Sequence, residues 1–218
     1  MLIYIVRHGE TKVNTEGRLC GHIDTPLNDN GRMLGRLTGE GLAEVKFDAV
    51  ISSPLSRAYE TAQLILANNK YSKDLPIATD RRLMEASWGP WEMKICIPQG
   101  YELEVPDFND FYRDPFNFPF PEGCETMRQL CVRAGEFFDE LIARPELQDK
   151  TVLLTSHGCT VRALLNRVFE DKDDFWHGCC PPNCAVNIVK VEQGKAALLE
   201  FDKIFYDPSL CKNLFQES

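Results

Sequence analysis

No stretch of this 218-residue chain is apolar for long enough to cross a membrane, and no basic-then-apolar leader precedes its first strand-like run. It also lacks internal repeats and low-complexity tracts, so the expectation is a cytoplasmic protein with no membrane partner. Positive charge is scarce: 24 Lys and Arg face 33 Asp and Glu, for a net charge of −9. That balance provides no basic face for a nucleic-acid backbone, and any anionic substrate must be captured by a local cationic pocket. Neither a Walker-type GKS/T loop nor a dinucleotide glycine fingerprint is present, which argues against nucleotide-triphosphate and nicotinamide enzymes. No cysteine has the CxxxxxR context of a thiol nucleophile. The nine cysteines are odd in number and follow no disulfide framework, so they read as reduced thiols. His177, Cys179, Cys180 and Cys184 are zinc-ligand types, but adjacent cysteines and Pro181-Pro182 fit no standard spacing, and no metal is assigned.

What is present is an ordinary core. Hydrophobic residues make up 44% and charged residues 26%, and the length suits one domain, residues 1–218. Leu2 to Val6 reads as a strand buried on both faces. Further strands are expected at Phe47 to Ser52, Pro76 to Thr79 and Thr151 to Thr155, with an edge hairpin from Ala185 to Val191 and Ala196 to Phe201. Helices are expected after the cap Asn28, after Ser53-Pro54 with Ser53 as cap, from Gly123 to Arg144, and from Gly158 to Val168. Glycines inside the first of these weaken its helical signal. The pattern implies a three-layer α/β/α fold with a mostly parallel central sheet and an antiparallel edge. Residues 88–121, rich in aromatics and prolines without clear periodicity, form a covering, substrate-selecting insertion. Oligomeric state is not fixed, and a homodimer stays open.

Arg7 with His8, Arg57, Glu85 and His157 each follow a separate expected strand. Right-handed crossovers place such strand ends along one edge of the sheet. Two histidines, two arginines and a carboxylate in one crevice suit phosphoryl transfer, which needs a held dianion, a nucleophile and a proton for the leaving oxygen.

Four blocks then carry a resemblance: Arg7-His8-Gly9-Glu10-Thr11 with Asn14; Ser53-Pro54-Leu55-Ser56-Arg57-Ala58 with Thr61-Ala62; Leu83-Met84-Glu85; and Ser156-His157-Gly158. Together with Pro121-Glu122-Gly123-Cys124-Glu125-Thr126, they make the chain similar to the histidine phosphatase superfamily, which includes the phosphoglycerate mutases. The resemblance implies that His8 becomes phosphohistidine, that Arg7, Arg57 and His157 hold phosphoryl oxygens, with His157 able to donate as an imidazolium, and that Glu85 is general acid and then base. Asn14 and the backbone at Gly158 would add hydrogen bonds, Cys20 and Gly21 would lie at the pocket rim, and no metal or other cofactor is required. Departures at Met93, where many members have glycine, and at Cys20 bear on substrate and leave the chemistry intact. Cys20 reads chiefly as a packing residue, with a redox-sensitive thiol as the alternative.

From Lys94 to Pro121 the only cations are Lys94 and Arg113, whereas mutases carry paired basic residues there for a distal phosphate. Hydrolysis of a small phosphorylated metabolite is therefore favoured over mutase activity. A noncatalytic phospho-ligand module is a third alternative, opposed by the intact pair of His8 and Glu85.

Overall fold

Five consecutive apolar residues are buried on both faces only in a sheet covered on both sides. In the computed structural model, which describes residues 1–97 and 100–211, Leu2–Arg7 is such a strand, β1. The two residues 98–99 of the expected insertion and the final 212–218 of the expected domain lie outside the described residues. β1 pairs in parallel with β6 (Thr151–Ser156), which pairs in turn with β2 (Ala49–Ser52), and β2 with β3 (Ile77–Thr79). On its other side β1 pairs antiparallel with β7 (Val186–Glu192), followed at the edge by β8 (Lys195–Lys203). The turn between these last two, Gln193-Gly194, has positive φ at both residues, as a tight two-residue hairpin demands.

Alternation along the strands sends side chains to two cores. Val6, Val50, Leu153 and Val186 meet Ala62, Ile65 and Leu66 of α3 (Ser56–Ala67) and Leu42 beyond α2 (Asp29–Gly41). Ile3, Ile5, Val152, Leu154 and Val189 face α5 (Met127–Ala143) and α6 (Gly158–Leu165) on the other side. The expected α/β/α layering and mostly parallel sheet are thus present. Two one-turn helices, α1 (Lys12–Thr15) and α4 (Asp110–Arg113), and a two-strand hairpin, β4 (Cys96–Ile97) with β5 (Gly100–Tyr101), had no clear sequence signal. Phe108, Phe111 and Phe118 from the 88–121 stretch join the second core. Among the described residues no helix is long and apolar enough to cross a membrane.

Helix boundaries differ from expectation where side chains found other partners. Asn28 caps α2 as expected, accepting from Gly31 N at 2.7 Å. α3 begins at Ser56 with Leu55 in the cap position, while Ser53 Oγ accepts from Leu55 N at 3.3 Å and also meets His157. α5 begins at Met127, where Thr126 and Gln129 form a reciprocal capping box, instead of at Gly123. α6 ends at Leu165, before Val168.

The glycines of α2 are contact points. A Cβ at Gly31 would lie 2.1 Å from the Glu10 carbonyl oxygen, and one at Gly39 would lie 2.9 Å from that of Leu64. Alanine raises helix propensity by about 1 kcal/mol over glycine, while forced overpacking costs about 1–3 kcal/mol. Gly31→Ala and Gly39→Ala are therefore both expected to lower the thermal midpoint, Gly31→Ala more severely, as thermal denaturation would show.

Candidate active site

The β1–β6 ladder runs to its last rung at Arg7 and Ser156, and His8 N–H then donates to Ser156 O at 2.8 Å. This brings His8 and His157 side by side, their rings 5.0 Å apart between centroids. His8 Nδ1 lies 2.6 Å from the Gly9 carbonyl, which can only accept, so Nδ1 carries the proton and Nε2 keeps its lone pair. His157 Nε2 lies 2.8 Å from Ser53 Oγ, and Leu55 N donates to that same oxygen at 3.3 Å. The serine hydroxyl proton is then free to go to Nε2, which leaves the hydrogen of the neutral ring on Nδ1. Burial, followed by the charges of Arg57 and Arg7, pushes the His8 pKa well below its ordinary 6.5. His157 is lowered in the same way, by burial first and then by Arg57, His8 and Arg7. A neutral ring with Nδ1–H can donate from that nitrogen, the donating role that the resemblance implies for His157.

Both arginines are buried. Arg7 Nη1 donates to Pro181 O, and Arg57 donates to the carbonyls of Ile23 (3.1 Å), Cys20 (3.3 Å) and Gly21 (2.7 Å). Arg7 Nε, Arg57 Nε and His157 Nδ1 are buried and make no hydrogen bond within the protein. Three unmatched nitrogens beside two guanidinium charges suit the oxygens of one phosphoryl group. A Cβ at Gly158 would lie 3.0 Å from Cys180 Sγ, a tight contact, but at an ordinary 3.6 Å from Arg7 Nε.

The carboxylate arrives after a short 3-10 turn, Arg81–Leu83. Glu85 Oε1 accepts from Ala86 N (2.9 Å), Thr160 N (3.1 Å) and Thr160 Oγ1 (3.1 Å), and Oε2 accepts from Cys159 N (3.1 Å). It thus satisfies the open amides at the start of α6 while lining the same cavity as His8.

Arg7, His8, Asn14, Cys20, Glu85 and Gly158 line this cavity, of about 60 Å³. Arg57, His157 and Gly21 are not among its lining residues. Gly21 supports Arg57 through its carbonyl and gives its N–H to Glu92 Oε2 at 3.0 Å. Burial pushes the Cys20 thiol pKa up, and Cys20 Sγ lies 3.4 Å from both Ile23 O and Thr25 Oγ1, which favours the packing role over a redox-active thiolate.

Two supports were missed in the sequence. The segment weighed for zinc braces the backbone at Arg7 and His8: Cys184 N–H donates to Arg7 O at 3.1 Å and Asn183 Nδ2 to His8 O at 3.0 Å. Its position could have been inferred, because an antiparallel partner of β1 must begin where β1 ends. His177 itself stacks on Phe169, and among the described residues no three metal-binding side chains converge. The second support is Arg133, which pairs with Glu125 at 2.7 and 2.8 Å and donates to the carbonyls of Arg82, Met84 and Glu85. A glutamate–arginine spacing of eight across a helix start was the available signal.

Residues 3–203 match the family described as histidine phosphatase superfamily (branch 1). The chain is 38% identical over 144 residues to a fructose-2,6-bisphosphatase TIGAR of Xenopus tropicalis, an alignment covering 63% of this chain and 48% of that protein. It is 32% identical over 165 residues to a 2,3-bisphosphoglycerate-dependent phosphoglycerate mutase 2 of Gloeobacter violaceus, covering 75% and 74% of the two chains. Among solved structures, Bacillus stearothermophilus YhfR superposes with a TM-score of 0.79 at 30% identity, covering 90% of this chain and 94% of that one. The chain spans about half the length of the TIGAR relative.

Because His8 and His157 are held neutral when folded, the unfolded chain binds more protons below pH 6.5. Stability therefore falls as pH drops below that value, by up to about 1.4 kcal/mol per pH unit for each histidine. Urea denaturation between pH 6.5 and 5.5 should show a shallower loss in His157→Gln than in wild type. At the second support, Arg133→Ala is expected to cost about 2 kcal/mol, on the scale of lost charge-assisted hydrogen bonds. Arg133→Lys should recover less than half of that, because a lysine cannot form the bidentate pair.

Proposed function

This chain belongs to the histidine phosphatase superfamily, and on that footing we propose that it hydrolyses a small phosphomonoester through a phosphohistidine on His8. The observation that carries the reading is the His8 tautomer: its Nδ1–H is engaged by Gly9 O, leaving Nε2 as the nucleophile in the cavity that Glu85 lines. In the first step Nε2 attacks phosphorus and the ester P–O bond breaks. Glu85 gives its proton to the departing alkoxide, while Arg7, Arg57, Asn14, His157 Nδ1–H and the Gly158 amide hold the phosphoryl oxygens. In the second step Glu85 takes a proton from water, the hydroxide oxygen bonds to phosphorus, and the P–N bond breaks to release orthophosphate.

Hydrolysis is favoured over phosphoryl relay because retaining a bisphosphorylated intermediate needs a second cationic patch, and Arg113 on the 88–121 stretch is paired with Asp107 and Asp110 at 3.3 and 3.2 Å. We read residues 1–218 as one domain in which 88–121 selects the substrate. A cytoplasmic location is favoured by nine cysteines that follow no disulfide framework in the sequence. A homodimer would be accommodated at the outer edge of β8.

Acid-quenching the protein with a phosphorus-labelled monoester should trap label on wild type and none on His8→Ala; label absent from wild type would sink the mechanism. Glu85→Gln should lose about 10²- to 10⁴-fold in kcat on alkyl phosphates and far less on activated aryl phosphates. Equal losses on both would assign the acid elsewhere.

A further inference from the structure

The three carbonyls that hold Arg57 belong to a loop, Cys20 to Ile23, that runs outside every helix and strand. A carboxylate from another part of the chain holds this loop. Glu92 Oε2 accepts from Gly21 N at 3.0 Å, and Oε1 accepts from His22 N at 2.9 Å and from Trp88 N at 3.3 Å. Glu92 is half-buried and is not among the residues lining the cavity. Its own backbone is set by the 3-10 turn Gly89–Trp91 and by Met93 N, which donates to Leu19 O at 2.9 Å just before the loop begins.

The bonds on the two sides of the loop are carried by the same peptide units. In the unit joining Cys20 to Gly21, the N–H goes to Glu92 and the carbonyl to Arg57. The next unit, joining Gly21 to His22, does the same. N–H and C=O point in opposite directions across a trans peptide, so two peptide dipoles bridge an anion to a cation and each charge strengthens the bonds made by the other. A carboxylate in direct contact with Arg57 would compete with a phosphoryl group for its donors; one placed a peptide away orients the guanidinium and leaves its open Nε to a ligand. Asp24 Oδ1, 3.9 Å from Arg57 Nη1, accepts from Ser56 N and Oγ at 2.9 and 2.8 Å. Glycine at position 21 is what admits the carboxylate, since a Cβ there would lie 2.5 Å from Glu92 Oε1 and 2.1 Å from Ala86 O.

We infer that Glu92 is the positioning residue of Arg57, acting through these two peptide units to hold the guanidinium where its Nε meets a phosphoryl oxygen. This inference rests on the reading that Arg57 binds the phosphoryl group. The loop also touches the acid, because His22 Nε2 lies 3.0 Å from Glu85 O. That route is a single bond to a backbone carbonyl, whereas the Glu85 carboxylate is fixed by four donors of its own. Arg57 receives three bonds from the loop and is the group that depends on it.

The probe is orthovanadate, a tetrahedral oxyanion, with binding followed by titration calorimetry so that no turnover is needed. By Coulomb's law alone, removing the Glu92 charge would tighten an anion. Glu92→Gln, which exchanges one acceptor for a donor, is expected instead to weaken orthovanadate about tenfold, the scale of a lost charge-assisted hydrogen bond. In an Arg57→Ala background the same substitution should change affinity by no more than about twofold, as for residues that act as one unit. The loss in kcat/KM should be equal on alkyl and aryl phosphates, because the leaving group is not what Glu92 serves. Unchanged or tighter orthovanadate, a loss that multiplies with that of Arg57→Ala, or a loss confined to alkyl phosphates would overturn the inference. Where Glu92→Gln fails to fold, Glu92→Asp, which keeps the charge and shortens its reach, enters the same cycle with the same expectation. If Arg57→Ala binds orthovanadate like wild type, the phosphoryl-binding role of Arg57 fails and this inference with it, while acid-trapped label on His8 would still support the hydrolysis.

Discussion

The parallel pairing of β1 with β6 is the constraint on which the site depends. It sets Arg7 beside Ser156 and continues one residue further, through the His8 amide to the Ser156 carbonyl. Histidines 149 positions apart in sequence, at 8 and 157, thereby stand in contact because two strands end level with each other. The other partners are placed relative to this pair. β2 brings Ser53 under His157, α3 brings Arg57, and the start of α6 is where Glu85 finds its hydrogen-bond donors.

The electrostatics follow from that packing. Two guanidiniums buried beside two imidazoles cannot tolerate two further positive charges, so burial and the arginines keep both rings neutral. On the proposed mechanism, neutrality is what a nucleophilic imidazole needs, and the same cationic surroundings that enforce it would attract a phosphoryl dianion, so affinity for the anion and readiness of the nucleophile would have one source. The protein obtains this from a local pocket despite an acidic surface.

Much of this was legible in the sequence because it depends on short-range rules. The all-apolar run at Leu2 to Val6 announced a central strand, Asn28 announced a helix start, and Gln193-Gly194 announced the edge hairpin. The residues that failed those rules had been taken by tertiary partners. Ser53 looks like a cap in any local window, yet its hydroxyl is engaged by a histidine 104 residues away. The cysteine-rich segment near 180 looked like a metal motif by composition, whereas its backbone braces Arg7 and His8. Glu125 appeared only within a helix entry and Arg133 carried no signal of its own, and the three-dimensional path of residues 82–85 shows what they hold.

The His8 amide extends the β1–β6 ladder one residue past its last rung, with strands on both sides of β1. A buried hydrogen bonded to a neighbouring strand exchanges with solvent more slowly than one in an exposed loop. His8 is therefore carried at the slowly exchanging centre of the sheet, while Phe111 and Tyr112 reach the same cavity from the one-turn helix α4.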